Sequence, residues 1–258
     1  MTMNYSHIIN EMVWSYSRIG KFETCPYQFL LSYIFGVEKK RLFFSDYGSF
    51  IHSIIEKYFN KDLKKRELST YYLSEFQRNV VGKAPNISIF ENYFQQGLSY
   101  LNNFDFPYSN VIAVEKKFHF RIGKRKFIGI VDAIADDNGI IIIDNKSRSL
   151  KPYSNRKKPT LSDMELDNYF KQLYLYSVGI KKEYKSLPKA LGFNCFRTQT
   201  SIIEPFDNDR YIKTKKWATN TIDTIINNTD WSPKINYFIC NNLCDVCHHC
   251  EYHSLGKR

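Results

Sequence analysis

The sequence has no run of apolar residues approaching the roughly 20 needed to cross a bilayer, although 43% of its 258 residues are hydrophobic. Its first ten residues lack the basic-then-apolar order of a secretory signal. The expected setting is therefore soluble and intracellular, in a cell or virus-encoded, with no membrane partner. Acidic residues are scarce beside basic ones: 26 Asp and Glu against 37 Lys and Arg leave a formal charge of +11. With a membrane set aside, nucleic acid is the acidic partner this balance favours. The apolar content suffices for a real core, as one large domain or one with an appended subdomain, and speaks against a disordered chain. Cysteines spread in pairs, as disulfides need, are also missing. Cys25 and Cys195 stand apart while four crowd between Cys240 and Cys250, which in a reducing compartment points to metal ligation.

Aromatic residues make up 16% of the chain, with Tyr and Phe placed among lysines rather than in apolar runs. Such rings either fill a core, their commoner use, or stack on bases along a groove. Apolar positions recur at helical spacing from about Ser15 to Phe35 and from about Gly48 to Phe59, which predicts two opening helices. Leu63 to Asn110 mixes Lys, Tyr and Asn over further helical pattern and does not resolve into elements. From Val111 the period becomes that of strands: Val111 to Ile122, Phe127 to Ala135 and Ile140 to Asp144. Between the last two, Asp136-Asp137-Asn138-Gly139 predicts a hairpin with a type I′ turn, because Asn and Gly both tolerate positive φ.

That hairpin carries the candidate chemistry. Asp132 interrupts the apolar run from Gly129 to Ile134, and Asp144 closes the run from Ile140 to Ile143, with Asn145 and Lys146 following. A carboxylate inside such a run is costly to bury without a partner, and a divalent metal shared by two carboxylates is one such partner. Alternation puts Asp144 and Lys146 on one face of their strand. The D-x-K spacing alone is common and equally describes a strand end facing solvent; its weight comes from its neighbours.

Those neighbours fall in a specific order: G-x-x-x-H from Gly48 to His52, then Glu115, G-x-x-D from Gly129 to Asp132, D-x-K, and Q-x-x-x-Y from Gln172 to Tyr176. The order resembles the RecB-like branch of the PD-(D/E)xK nucleases, which takes in CRISPR-adaptation nucleases and phage exonucleases. The opening segment, Ser15-Tyr16-Ser17 through Thr24-Cys25-Pro26-Tyr27, is similar to that branch too. The likeness spans nearly the whole chain apart from Leu63 to Asn110. It implies a mixed α/β fold with a restriction-endonuclease-like αβββαβ core, N-terminal helices and a C-terminal cysteine-rich clasp.

The resemblance also implies roles. His52, Asp132, Asp144 and the backbone carbonyl of Asn145 would bind Mn²⁺ or Mg²⁺, and an imidazole ligand suits the former better. Lys146 would orient or deprotonate the attacking water and offset charge on the phosphorane. Gln172 and Tyr176, four apart on one helical face, would position Lys146 or the DNA backbone. Taken singly, His52, Glu115, Gln172 and Tyr176 are equally ordinary surface residues. The implied activity is metal-dependent hydrolysis of DNA by an exonuclease acting on single-stranded ends. Its setting would be recombination, repair, phage replication or CRISPR adaptation, beside a helicase, recombination or integration partner. From Lys146 to Pro159 no acidic residue occurs, which predicts a mobile basic loop, either tracking a phosphate backbone or merely solvated.

Cys240-x3-Cys244-x5-Cys250 resembles the C-terminal trio of the family's iron-sulfur members, whose fourth ligand comes from the N-terminal segment, here Cys25. The resemblance thus implies a [4Fe-4S] cluster that joins residues 1–47 and 232–258 into a subdomain of one domain spanning 1–258. Cys247 departs from the pattern and is an alternative cluster ligand, as in the set Cys244-x2-Cys247-x5-His253. A local Zn²⁺ site on Cys240, Cys244, Cys247 and Cys250 is the other reading. Cys195, in an apolar strand-like run, reads as a buried structural thiol. One competing function class stays open: a non-catalytic nucleic-acid binder with a zinc module. Such a binder has no need for His52, Asp132, Asp144 and Lys146 together.

Overall fold

The computed structural model describes residues 4–254; residues 1–3 and 255–258, the extremes of the two expected terminal segments, lie outside the described residues. A mixed six-stranded sheet organises the chain. The short β1 (Val13–Trp14) pairs in parallel with the start of β3 (Arg125–Asp136), and β2 (Val111–Ile122) runs antiparallel along β3 for its whole length. β4 (Ile140–Lys146) is antiparallel to β3, β5 (Ala190–Cys195) is parallel to β4, and β6 (Thr200–Pro205) closes antiparallel on β5. The long helix α7 (Leu161–Tyr184) crosses from β4 to β5, as a parallel pair requires. Numbered in the chain, the other helices are α1 (Ser6–Asn10), α2 (Tyr16–Thr24), α3 (Pro26–Phe29), α4 (Phe43–Phe59), α5 (Leu68–Asn79), α6 (Ile87–Asn102), α8 (Asn208–Ile226) and α9 (Tyr237–Asn242). The order α4-β2-β3-β4-α7-β5 is the αβββαβ core. Among the described residues, no helix is long and apolar enough to cross a membrane.

The expected helix from Ser15 to Phe35 is divided at Cys25. The residue before a proline is pushed out of helical geometry, and Cys25 is extended at φ −159° and ψ 110°. Its Sγ accepts the Gln28 N–H, capping α3, which Pro26 opens and a π-helical turn, Leu30–Ile34, continues. The β3–β4 turn also differs from expectation. Asp136 pairs with Ile140, leaving three loop residues rather than two; Asn138 is left-handed at φ 49°, but Gly139 sits at φ 139°, outside a type I′ turn.

Two cores flank the sheet and absorb most of the aromatics. One lies under α7 and α8 and buries Phe118, Phe127, Phe170 and Phe193. The other is a helical layer of α4, α5 and α6, where Phe50 stacks on Tyr72 at 5.6 Å and Phe76 meets Phe94 edge-on at 4.8 Å. Core filling, rather than a base-stacking groove, is what these rings do. The segment from Leu63 to Asn110 supplies α5 and α6, with Asn86 capping the latter through the Ile89 N–H.

The basic segment after β4 is tied to α7 as a strap. Leu150 is buried, Arg148 pairs with Glu165 at 2.6 Å, and Asp163 accepts hydrogen bonds from both the main-chain N–H and the hydroxyl of Ser154 and of Thr160. The acids that tie it down belong to α7, beyond the basic run itself.

Protein contacts hold the C-terminal segment against the N-terminal helices. Asp245 accepts from Lys21 Nζ at 2.8 Å and from Gln28 Nε2 at 3.1 Å, and its carbonyl accepts from the Lys40 N–H at 2.7 Å. Although burial opposes its charge, Lys21 and Gln28 hold the Asp245 carboxyl below its usual range. We expect Asp245→Asn to cost about 1–3 kcal/mol at neutral pH by denaturant unfolding. A depressed folded pKa means the contribution is present above about pH 4 and is lost as the pH falls through the folded value. The two proteins should therefore converge in acid, and a gap that persists there would point to packing instead.

Candidate active site

The site grows from a fork between β3 and β4. β2 occupies one edge of β3; the other edge is shared by β1, at Lys126 and Phe127, and β4, at Ala133 to Asp136. Asp132 lies in the gap between them. Beyond the last β3–β4 pair, Ala133 with Ile143, β4 continues through Asp144, Asn145 and Lys146 on β5 alone. The Asn145 N–H, left without a β3 carbonyl, donates to Asp132 Oδ2 at 2.7 Å. The Asn145 side chain is equally fixed: its Oδ1 accepts from Asn194 Nδ2 at 2.8 Å, which also donates to the Tyr100 hydroxyl at 2.8 Å.

A break in the pleat sits opposite the same aspartate. Ala113 and Ile134 contact the core beneath α7, and so do Phe118 and Val131, whereas Val114 and Ala133 face the opposite cluster. Strict alternation would send Phe118 and Val131 away from Ala113 and Ile134. Glu115 resolves the mismatch: it stands in the register position facing Asp132 and takes a left-handed φ of 46°. A non-glycine residue there is strained, and strain of this kind gathers where a side chain must be re-aimed.

The re-aimed group completes a cluster. His52, from α4, places Nδ1 3.4 Å from Asp132 Oδ2 and 3.9 Å from Glu115 Oε1, while its Nε2 is 2.9 Å from the Asn145 carbonyl oxygen. One ligand atom from each of His52, Glu115 and Asp132 lies within 4.8 Å of the others. Asp144 turns to the other side of the fork. Its Oδ1 accepts from Gln172 Nε2 at 2.6 Å and its Oδ2 is 2.7 Å from Lys146 Nζ, which also donates to Gln172 Oε1 at 2.9 Å. Gln172 Nε2 makes a second bond, to the Tyr176 hydroxyl at 3.1 Å, so this one amide fixes the carboxylate, the amine and the phenol.

Burial and the Asp144 charge push the Asp132 carboxyl up. Burial opposes a charge on His52, yet Asp132, Glu115 and Asp144 outweigh it and hold the imidazole up at about 9. Lys146 is likewise held up although burial opposes its charge, chiefly by Asp144. Carboxylates directly opposite one another in a sheet repel, so Glu115 and Asp132, gathered with His52, suit a bound cation.

A family model described as the PD-(D/E)XK nuclease superfamily matches residues 13–255. The chain belongs to that superfamily. A solved structure titled "Crystal structure of SSO0001" is similar at 19% identity and a TM-score of 0.31, covering 72% of this chain and 81% of that one; at that level it adds nothing to the assignment. No curated protein matches.

The fold thus draws together every motif residue of this PD-(D/E)XK nuclease superfamily member. His52, Asp132 and the Asn145 carbonyl converge directly, Glu115 joins them, and Asp144, Lys146, Gln172 and Tyr176 form the adjoining hydrogen-bonded group. Tyr169 carries no sequence signal of its own; it lies one turn from Gln172, with its ring 5.0 Å from Lys146 Nζ. Tyr16, from the opening segment, sits near Asp144, its hydroxyl donating to the Asn168 carbonyl at 2.8 Å. Glu115 stood in the motif order, but taken singly it read equally as an ordinary strand residue. The glycine of G-x-x-D has a steric cause: a Cβ on Gly129 would come within 2.6 Å of the Tyr176 ring. Gly129→Ala should therefore cost about 1–3 kcal/mol by overpacking and shift the Tyr176 ring. Unchanged stability in denaturant unfolding would show that the ring has room to yield.

Proposed function

We propose that this chain is a metal-dependent deoxyribonuclease that hydrolyses phosphodiester bonds as an exonuclease on single-stranded DNA ends. The observation that carries the reading is the forked cluster itself: Glu115, Asp132, an imidazole and a freed carbonyl on one side, and Asp144 paired with Lys146 on the other. His52, Asp132, Asp144 and the Asn145 carbonyl would hold a Mn²⁺ or Mg²⁺ ion, with Glu115 beside them. The mixed nitrogen and oxygen donors fit Mn²⁺ at least as well as Mg²⁺. Such an ion, when bound, supplies an acidified water and offsets phosphate charge.

The chain's own residues would do the rest. Lys146, pinned by Gln172 and held as a cation, presents fixed positive charge where a phosphorane accumulates negative charge. In this arrangement it serves as a charge and a donor in preference to a base. Gln172 and Tyr176 position it. Support for an unpaired strand comes from α9, where Tyr237 and Phe238 are 59% and 48% exposed just before Cys240; exposed rings stack on bases without sequence preference. Recombination, repair, phage replication and CRISPR adaptation are the settings such an enzyme serves, with a helicase, recombination or integration partner.

We extend the proposal to the two ends of the chain, as an iron-sulfur subdomain of one nuclease domain. Cys25, Cys240, Cys244, Cys247 and Cys250 line one apolar cavity with Leu31, Ile239 and Val246. Burial and the neighbouring Cys25, Cys240 and Cys247 hold the Cys250 thiol up, and burial, then Cys247, pushes Cys244 to about 12. Among the described residues, no three of these sulfurs approach within 4.8 Å of one another. An all-thiolate lining that includes Cys25, brought from the far end of the chain, would suit a [4Fe-4S] cluster, with zinc as the alternative. Cys25, Cys240 and Cys250 are ligands in this reading, with Cys244 or Cys247 as the fourth. Protein purified without oxygen should contain iron, and Cys25→Ser and Cys250→Ser should each lose it. Zinc in place of iron, with Cys25→Ser harmless, would establish a local zinc site instead.

For the nuclease reading, Asp132→Ala, Asp144→Ala and Lys146→Ala should each slow hydrolysis of an end-labelled single strand by roughly 10²-fold or more while circular dichroism stays unchanged. Chelation should stop the reaction and Mn²⁺ restore it. Full activity in any of the three variants removes that residue from the site, and rapid degradation of closed single-stranded circles removes the need for an end.

A further inference from the structure

The β2–β3 hairpin is a second basic element that the strap after β4 overshadows in the sequence. From Lys116 to Val131 it carries Lys116, Lys117, Arg121, Lys124, Arg125 and Lys126, with no acidic residue. Two of these charges are spent within the fold: Lys116 pairs with Glu183 at 2.8 Å and Arg125 with Asp223 at 3.0 Å. Lys117, Arg121, Lys124 and Lys126 are exposed and have no acidic partner among the described residues.

Their arrangement follows from the pleat. One face of the hairpin buries Phe118, Phe120, Ile122 and Phe127, with Gly179 of α7 drawn close against Phe118. The other face presents Lys117 opposite Ile130, His119 opposite Ile128 and Arg121 opposite Lys126. At a strand rise of about 3.4 Å, alternate residues place Lys117, His119 and Arg121 roughly 7 Å apart in a line. The line starts two residues from Glu115 and ends at the Gly123 turn, so it leads outward from the fork. α7 backs it, and β1 pairs with its outer end, at Lys126 and Phe127.

We infer that this face is a phosphate track that grips the duplex lying behind a single-stranded end, while the end itself enters the fork. The inference rests on the nuclease reading and adds the form of the substrate. The hairpin's Phe rings are all on the buried face, so the track offers cations with the small His119 imidazole as its only ring, and no Tyr, Phe or Trp on which successive unstacked bases could lie. Contact through phosphates without base stacking is how a paired, stacked duplex is held. Ile128 and Ile130 fill the space between the cations without offering any group that reads sequence.

The test is fluorescence anisotropy in chelator, which prevents cleavage, on two probes: a single strand, and the same strand annealed to leave a duplex behind its free end. Wild type should bind the tailed duplex more tightly. Lys117→Gln/Arg121→Gln/Lys126→Gln should lose roughly tenfold or more on the tailed duplex, and its log–log salt slope should fall by about 2 to 3. Its affinity for the single strand should change little. A control with the same loss of net charge, Lys64→Gln/Lys65→Gln/Arg66→Gln on the α4–α5 linker, should behave as wild type. Unaltered tailed-duplex binding by the hairpin variant overturns the inference. So does an equal loss on both probes, or an equal loss in the control. Hydrolysis of the plain single strand in Mn²⁺ is measured separately: its absence in wild type counts against the nuclease reading, whereas its presence with unaltered tailed-duplex binding counts against the track alone.

Discussion

The hydrogen bond from the Asn145 main chain to Asp132 is the contact on which the site depends. It spans the point where β3 and β4 part, and it substitutes a carboxylate for the carbonyl that a continuous ladder would have provided. A sheet that simply frayed here would bury an unpaired N–H at a cost of about 1–3 kcal/mol. With Asp132 in place the strands diverge while the Asn145 N–H keeps a partner. The divergence then sets the Asn145 carbonyl toward His52 and the Asp144 carboxylate toward Lys146.

Electrostatics oppose this arrangement, and the opposition is informative. Three carboxylates meet at the fork, and the backbone of Glu115 is strained to bring the third. In a protein with only structural needs, an apolar residue at any of these positions would pack more cheaply. His52 and Lys146, both kept cationic by the carboxylates, reduce the repulsion from either flank. The PD-(D/E)XK nuclease family thus appears in this chain as a locally unfavourable charge pattern held by a well-packed frame.

The core strands and the motif positions were legible because both depend on short-range periodicity. Alternation located β2, β3 and β4 to within a few residues, and an aspartate inside an apolar strand is conspicuous by itself. Glu115 was harder, since its contribution arises from a left-handed backbone that strand periodicity does not encode. The α5 and α6 helices were harder to place for a different reason: their apolar faces are built largely of Tyr and Phe, which favour strands as readily as helices, interspersed with Asn, Gln and Ser. The strap after β4 looked free because its restraining acids, Asp163, Glu165 and Asp167, follow it in the next helix. Asp245 gave no signal at all, as its partners Lys21 and Gln28 are more than two hundred positions away.

The hydrogen-bonded chain from Asn145 through Asn194 to Tyr100 has an evolutionary consequence. The middle position of D-x-K reads as the variable one, yet here its side chain is buried and bonded to a residue of β5, which is bonded in turn to a phenol of α6. Drift at position 145 is therefore tied to positions 194 and 100, on two other elements and in the second core. Homologous chains should exchange these three residues as a set, and a lineage that replaced Asn145 alone would carry an orphaned amide into the heart of the molecule.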